Sequence, residues 1–113
     1  MKEGDIILTL MSQADGKFKN RPAIYLREMP PFRDALVCGV STQTHQLAPD
    51  FDELISSQDS DFSGSRLVSD SLVRLGFLAV LPRRNIIGSI GSISSERHKR
   101  LLLRLSEYLV KVP

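Results

Sequence analysis

Arg21 is the residue of this chain best suited by type and position to bind a phosphate. It lies in the segment Lys19-Asn20-Arg21-Pro22-Ala23, where a polar loop gives way to an apolar strand. Proline fixes its own φ and biases the preceding residue toward extended geometry, so the guanidinium starts from a stiff backbone. Its planar fork of donors suits bidentate contact with phosphate oxygens. An arginine at an ordinary solvated strand end has the same local pattern. The rest of the sequence is therefore needed to distinguish a phosphate-binding arginine from a solvated one.

Few other side chains have the chemistry of a reactive group, because the chain contains two histidines and one cysteine. His45 follows the polar run Ser41–Thr44 at the end of a predicted strand and is the best candidate for proton transfer. His98 lies among basic residues of a predicted helix and is expected to be solvated. Cys38 lies in an apolar run and is expected to be a small buried hydrophobe. No nucleotide-binding, metal-ligand or hydrolase motif occurs, so we expect neither a metal nor a cofactor.

Length and composition favour one small domain spanning residues 1–113. An apolar fraction of 42% in 113 residues is enough for one hydrophobic core. The sequence contains no apolar run of about 18 residues, and Met1-Lys2-Glu3-Gly4-Asp5 lacks the layout of a signal peptide. We therefore expect a cytoplasmic protein without membrane contact.

The charges are unevenly distributed along the chain. Five acids lie between Thr44 and Ser65, a stretch without Lys or Arg, and outside it 15 basic residues face 8 acidic ones, a charge of +7. The sequence therefore predicts a basic surface that attracts a polyanion, beside one acidic polar segment.

Short apolar runs rich in β-branched residues predict β-strands. These runs are Asp5–Leu10, Ala23–Arg27, Ala35–Val40, Ser71–Leu75, Phe77–Leu81 and Ile86–Ile93. A loop is predicted over Ser12–Asn20, with Asp15-Gly16 as its turn. From Thr42 to Ser65 the periodicity is lost, which predicts a long polar surface loop with at most a short helical turn near Phe51–Ile55.

The chain closes with an amphipathic α-helix. Ser94 is a suitable N-cap, and Glu96 in the first turn complements the helix dipole. Apolar residues then recur at intervals of three and four, while the basic residues, Arg97 among them, fall largely on the other face; the apolar set is Leu101, Leu102, Leu105, Tyr108, Leu109 and Val112. Short antiparallel strands with one late helix predict a mainly β protein built as a small barrel.

In this order the segments resemble the PemK/MazF family of toxin endoribonucleases from bacterial toxin–antitoxin pairs. Five motifs carry the resemblance: Gly4-Asp5-Ile6-Ile7-Leu8, Lys19-Asn20-Arg21-Pro22-Ala23-Ile24, Val37-Cys38-Gly39-Val40-Ser41-Thr42, Ser63-Gly64 followed by Ser71–Leu75, and Ile86–Ile93 followed by Ser94-Ser95-Glu96. Together they cover nearly the whole chain. Ser41 and Gly39 stand where the family tends to have threonine and proline.

The resemblance implies an SH3-like barrel, a homodimer, a cognate antitoxin, and metal-independent cleavage of single-stranded RNA. Arg21 matches the family's catalytic arginine, and Ser41 matches its catalytic threonine. With His45 they form the predicted catalytic set. The neighbouring polar residues are the predicted RNA contacts: Lys17, Lys19, Thr42 and Gln43.

A second class of function is a binding module without chemistry. The same small barrel would then act through protein contacts, either as a gyrase-type poison or as a degenerate toxin that retains only antitoxin binding. An RNase requires Arg21 and Ser41 in one groove, whereas a poison of another enzyme would place its working residues at an exposed helix end.

Overall fold

A computed structural model describes residues 1–12 and 15–113 of the chain. Its strands form one antiparallel sheet in the order β4-β5-β3-β2-β1-β6. They are β1 (Asp5–Ser12), β2 (Phe18–Met29), β3 (Asp34–Ser41), β4 (Glu53–Ile55), β5 (Ser71–Leu81) and β6 (Ile86–Ser92). The predicted mainly β class is confirmed, and β4 and β6 are the outer strands, so the barrel-like sheet is not closed by hydrogen bonds.

Within the described residues, four helical elements accompany the sheet. Two are 3-10 turns, Thr44–Gln46 and Arg83–Asn85, and two are α-helices, α1 (Phe62–Ser65) and α2 (Ser95–Leu109). The predicted N-cap of α2 is confirmed, because the Ser94 hydroxyl accepts a hydrogen bond from the Arg97 N–H at 3.1 Å. Since α2 ends at Leu109, Val112 lies beyond it.

Two apolar clusters lie on opposite faces of the sheet, because successive side chains of a strand point to opposite sides. The larger joins alternate strand residues such as Ile24 to Leu101 and Leu105 of α2. The smaller cluster consists of Ile7, Ala23, Tyr25, Ala35 and Val37. Cys38 is buried in the larger cluster, and this burial raises the pKa of its thiol to about 12.

Three predicted boundaries are wrong, and each was decided by pairing between distant residues. Glu53–Ile55 forms a strand instead of a helical turn, because its backbone pairs with Ser71–Val73. The runs 71–75 and 77–81 form one strand that bulges between them. The loop between β1 and β2 is shorter than predicted because the two strands pair as far as Ser12 and Phe18; its residues 13 and 14 lie outside the described residues.

Arg97 is buried, although the helical pattern predicted it on the polar face. Its guanidinium makes five hydrogen bonds of 2.8 to 3.1 Å to the side chains of Glu53, Asp59 and Asp61 and to the carbonyl of Leu54. A guanidinium has five N–H donors, so all of them can be satisfied. The contact ties α2 to the polar segment before β5.

Glu53 extends this cluster toward the exposed side of α2. Its carboxylate also pairs with Arg100 at 2.7 Å and with Arg104 at 3.1 Å. The acidic segment is therefore largely neutralised by helix arginines, which differs from the predicted separation of acidic and basic surfaces.

The cluster also shifts the pKa values of its carboxyl groups. Hydrogen bonds from Arg97 are the main cause that lowers the pKa of Asp61, and they outweigh its burial. For Glu53, burial acts to raise the pKa, but the hydrogen bond from Arg100 and the charges of Arg100, Arg97 and Arg104 together lower it.

Replacing Arg97 with alanine should leave the buried carboxylates without their shared cation. We expect the free energy of unfolding to fall by about 3–5 kcal/mol, which is typical when one partner of a buried ion pair is removed. Urea unfolding measures the change. Arg100→Ala is the control, because Arg100 is half exposed and should cost about 1 kcal/mol or less. Equal losses in the two variants would contradict this assignment.

Lowering the pH should weaken the same attachment. Because the pKa of Asp61 is lowered on folding, its contribution is complete above the ordinary aspartate pKa of about 4 and is lost as the pH falls through the lowered folded value. We expect Tm to decrease between about pH 5 and pH 2.5, with a smaller decrease in Asp61→Asn. Calorimetry measures both, and Asp50→Asn, at an exposed acid, should match the parent chain.

Candidate functional site

Arg21 lies inside β2, whereas the sequence predicted it at the start of the strand. The reason is that β1 continues to Ser12 and pairs with residues 18–22 of β2. Arg21 stands opposite the buried Thr9, whose hydroxyl donates to the Arg21 carbonyl at 3.1 Å. The backbone of Arg21 is therefore held within the sheet, while Arg21 as a whole is exposed to solvent.

Ser41 shares a face of the sheet with Arg21. β2 and β3 pair with Ala23 opposite Gly39, and the same register continued by two residues brings Arg21 opposite Ser41. Residues two apart on a strand point to the same side, so both side chains lie on the face of the smaller apolar cluster. Lys19, two residues before Arg21 in β2, belongs to this face as well.

The Ser41 hydroxyl has one defined contact. Its oxygen accepts a hydrogen bond from the Gln43 N–H at 3.0 Å. Because a hydroxyl carries one proton and two lone pairs, the proton stays free to be donated to an incoming oxygen. This geometry suits Ser41 as a hydrogen-bond donor.

Arg74 of β5 joins the same face, and the sequence analysis missed it. It stands opposite Gly39, and the pairing then resumes with Leu78 opposite Cys38, so residues 75–77 form a bulge. The bulge places the Phe77 ring beneath the Arg74 guanidinium, whose carbon lies 5.4 Å from the ring centroid. Arg74 is the only charged residue of the β5 sequence, which was the available signal.

Gly39 makes room for Phe77. A Cβ added at Gly39 would come within 2.9 Å of the Phe77 ring, so any larger residue would displace the aromatic side chain. Glycine at position 39 therefore has a local structural reason.

A cleft of about 220 Å³ opens beside Arg74 and Phe77. This volume is smaller than the roughly 300–1,000 Å³ of pockets for drug-sized ligands, so the cleft is too small to enclose such a ligand. Its lining comes from the segment before β4 and from the bulge of β5: Gln46, Ala48, Phe51, Asp52, Arg74, Gly76 and Phe77.

Arg21 and Arg74 differ from most other arginines in having no carboxylate partner among the described residues. Six arginines do pair with carboxylates: Arg27, Arg33, Arg83, Arg97, Arg100 and Arg104. A guanidinium without a protein counterion is available to bind an anion. The shared face thus presents two such groups, one on each side of β3.

The other predicted RNA contacts surround this face. Lys17 is exposed in the turn before β2, where its N–H donates to the Asp15 carboxylate at 2.9 Å. Thr42 and Gln43 are exposed immediately after β3. Both directly follow Ser41 in the chain.

The two histidines differ in their surroundings. His45 is exposed in the 3-10 turn, one residue before Gln46 of the cleft, and does not line the cleft itself. His98 is half-buried and less solvated than expected, and its Nε2 lies 2.7 Å from the Leu26 carbonyl oxygen. Since a carbonyl only accepts, Nε2 carries the donated proton.

Within residues 1–12 and 15–113, no group of three or more His, Cys, Asp or Glu side chains is arranged to hold a metal ion. In the same ranges, no helix has the length and apolar character needed to cross a membrane.

A comparison with models of known protein families gives a match over most of the chain. The family model described as "PemK-like, MazF-like toxin of type II toxin-antitoxin system" matches residues 2–109. No curated protein sequence matches the chain significantly. The match spans every element of the sheet and the whole of α2.

Substituting Gly39 with alanine should move the Phe77 ring without unfolding the chain. The new methyl group cannot occupy its position 2.9 Å from the ring, and overpacking of this kind costs about 1–3 kcal/mol. We expect NMR shifts of the Phe77 ring protons to change while most other signals stay in place. Gly88→Ala is the control, because no described atom lies within 4 Å of its added Cβ; equal changes in the two variants would contradict the contact.

Proposed function

The chain belongs to the family of PemK-like, MazF-like toxins of type II toxin–antitoxin systems, and we propose that it is an endoribonuclease that cleaves single-stranded RNA. Members of this family are generally endoribonuclease toxins. The observation that carries the proposal is the shared face of Arg21, Ser41 and Arg74, where two unpaired cations accompany a hydroxyl donor.

The proposed reaction uses the nucleophile that RNA supplies. The 2′-OH attacks the adjacent phosphorus, the bond to the 5′-oxygen breaks, and the products carry a 2′,3′-cyclic phosphate and a 5′-OH. The enzyme has to align this attack and stabilise the extra negative charge of the phosphorane. Arg21 suits the second task, because its guanidinium is always charged and matches the geometry of phosphate oxygens.

Arg74 approaches the same phosphate region from the other side. Arg74 lies on β5 and Arg21 on β2, with β3 between them. Because neighbouring strands are about 4.8 Å apart, the backbones of β5 and β2 are separated by roughly 10 Å. Long arginine side chains can converge above Gly39 and Ser41 across this distance. In the proposal Arg74 contacts the phosphate and Ser41 donates to a phosphate oxygen or to the 2′-OH.

Proton transfer needs a group that titrates, which arginine does not. We assign it to His45 or to a water molecule. The exposed position of His45 beside the cleft allows it to reach a bound strand, but the ring makes no hydrogen bond to another described residue that would orient it beforehand.

Binding of the RNA strand follows the usual logic of single-stranded recognition. Lys17 and Lys19 would contact phosphates, and Thr42 and Gln43 would donate to the strand beside Ser41. The half-exposed Phe77 offers a ring on which a base can stack. No metal or cofactor takes part in this proposal.

The family membership also indicates an antitoxin as a partner. We propose that this antitoxin covers the face of Arg21 and Arg74 with an acidic segment that folds on binding. We further propose that the chain works as a homodimer in the cytoplasm, where mRNA is its substrate.

A non-catalytic binding module is the alternative. The exposed end of α2 is the surface it would use, because Tyr108 and Leu109 of the predicted apolar face are 59% and 69% exposed. The convergence of Arg21 and Ser41 on one face supports the RNase, since a protein-binding module has no need of it.

Substitution of Arg21 tests the proposal directly. Arg21→Ala should lower the cleavage rate by about 10² to 10³, the effect of removing one preorganised donor at a developing charge. Arg21→Lys should recover part of the loss, because it keeps the charge but not the planar fork. The measurement is cleavage of a mixed-sequence single-stranded RNA, with the product ends mapped for the cyclic phosphate.

Arg27→Ala provides the control, because Arg27 is an exposed arginine of the same strand that pairs with Glu3. Its cleavage rate should equal that of the parent chain. A folded Arg21→Ala protein that cuts at the parent rate would remove Arg21 from the mechanism.

A further inference from the structure

We infer that Asp52 is a positioning residue, which aligns Arg74 and Phe77 by holding the bulge of β5. The inference rests on the proposed function, because it assigns these two residues a role in binding RNA. Asp52 directly precedes β4 and lines the cleft beside both of them.

The bulge leaves a backbone N–H without a partner in the sheet. Residues 75–77 have no partner on β3, and β4 begins at Glu53, opposite Val73, so its pairing does not extend to Leu75. Leu75 therefore lies within the bulge on the β3 side and beyond the last paired residue on the β4 side. A buried N–H in this position requires another acceptor, and Leu75 itself is fully buried.

The Asp52 carboxylate supplies that acceptor and joins two segments. One oxygen accepts from the Leu75 N–H at 3.0 Å, and the other accepts from the Ala48 N–H at 2.9 Å. The Asp52 N–H in turn donates to the Ala48 carbonyl at 3.0 Å. The segment before β4 is thus closed on itself and attached to the bulge by one side chain.

The bond to Leu75 acts on Arg74 through the peptide group they share. Because a peptide unit is planar, fixing the Leu75 N–H also fixes the carbonyl of Arg74 and the direction in which its side chain leaves β5. On the other side of Leu75, the Phe51 ring lies 3.4 Å from the position of a Cβ at Gly76. The bulge is held from the same segment on both sides of Leu75.

The test compares three acidic-residue variants. Asp52→Asn keeps one acceptor oxygen but places an NH₂ group against the second N–H, so one of the two bonds is lost. Asp52→Glu keeps the charge and lengthens the side chain, which separates charge from geometry. Asp50→Asn removes the same charge at an exposed neighbouring residue.

We expect Asp52→Asn and Asp52→Glu to lower kcat/KM for single-stranded RNA by about tenfold to a hundredfold, because misplacement by about 1 Å has effects of this size. Asp50→Asn should stay within about twofold of the parent chain. Hydrogen exchange of the Leu75 amide should accelerate in the two Asp52 variants and remain slow in Asp50→Asn.

Combined variants distinguish positioning from a general loss of stability. If Asp52 acts through the bulge, Asp52→Asn should change kcat/KM by less than about threefold in a chain that carries both Arg74→Ala and Phe77→Ala, yet retain its whole effect in an Arg21→Ala chain. Equal losses in both backgrounds, or unchanged cleavage by Asp52→Asn despite faster Leu75 exchange, would overturn the inference. A parent chain that does not cut RNA would contradict the proposed function instead, and Leu75 exchange would still decide whether Asp52 holds the bulge.

Discussion

The buried guanidinium of Arg97 is the interaction on which the rest of the structure depends. It joins α2 to Glu53, Asp59 and Asp61 of a segment that has only a three-residue strand of its own. Compared with apolar packing, a buried ion pair adds little net stability, but its geometry selects one arrangement. We interpret its role as fixing β4 against β5. Asp52, which directly precedes β4, in turn holds the bulge beside Arg74 through its hydrogen bond from the Leu75 N–H.

The sequence was sufficient where local chemistry decides the structure. The β-branched runs predicted most of the sheet, Ser94 predicted the start of α2, and five motifs in the right order indicated the family. It was insufficient where a partner lies far along the chain. Arg97 was predicted to be solvated because its carboxylate partner Asp61 is 36 residues away. β4 has no local strand pattern, and only its pairing with β5 makes it a strand.

The candidate site follows the same division. Arg21 and Ser41 could be found because each sits in a recognisable motif, although neither their common face nor their roles follow from spacing alone. Arg74 was missed although it is the only charged residue of the β5 sequence, because the register that brings it beside Gly39 depends on a shift between β3 and β5. Carboxylates neutralise the arginines of α2 and three arginines at the end of the sheet near the β2–β3 turn, Arg27, Arg33 and Arg83. Arg21 and Arg74 have no such partner among the described residues, so they are available to bind an anion.

The pairing of β1 with β6 has a consequence for the timing of synthesis. β1 ends at Ser12 and its outer partner ends at Ser92, so a ribosome that adds about 5–20 residues per second needs roughly 4 to 16 s to supply that partner. Until then β1 can pair only with β2. Arg97 is synthesised still later. A nascent chain therefore contains Arg21 and Ser41 long before it contains the guanidinium that holds the acidic segment against α2. The assembled face therefore forms only after the ribosome has added β6 and Arg97.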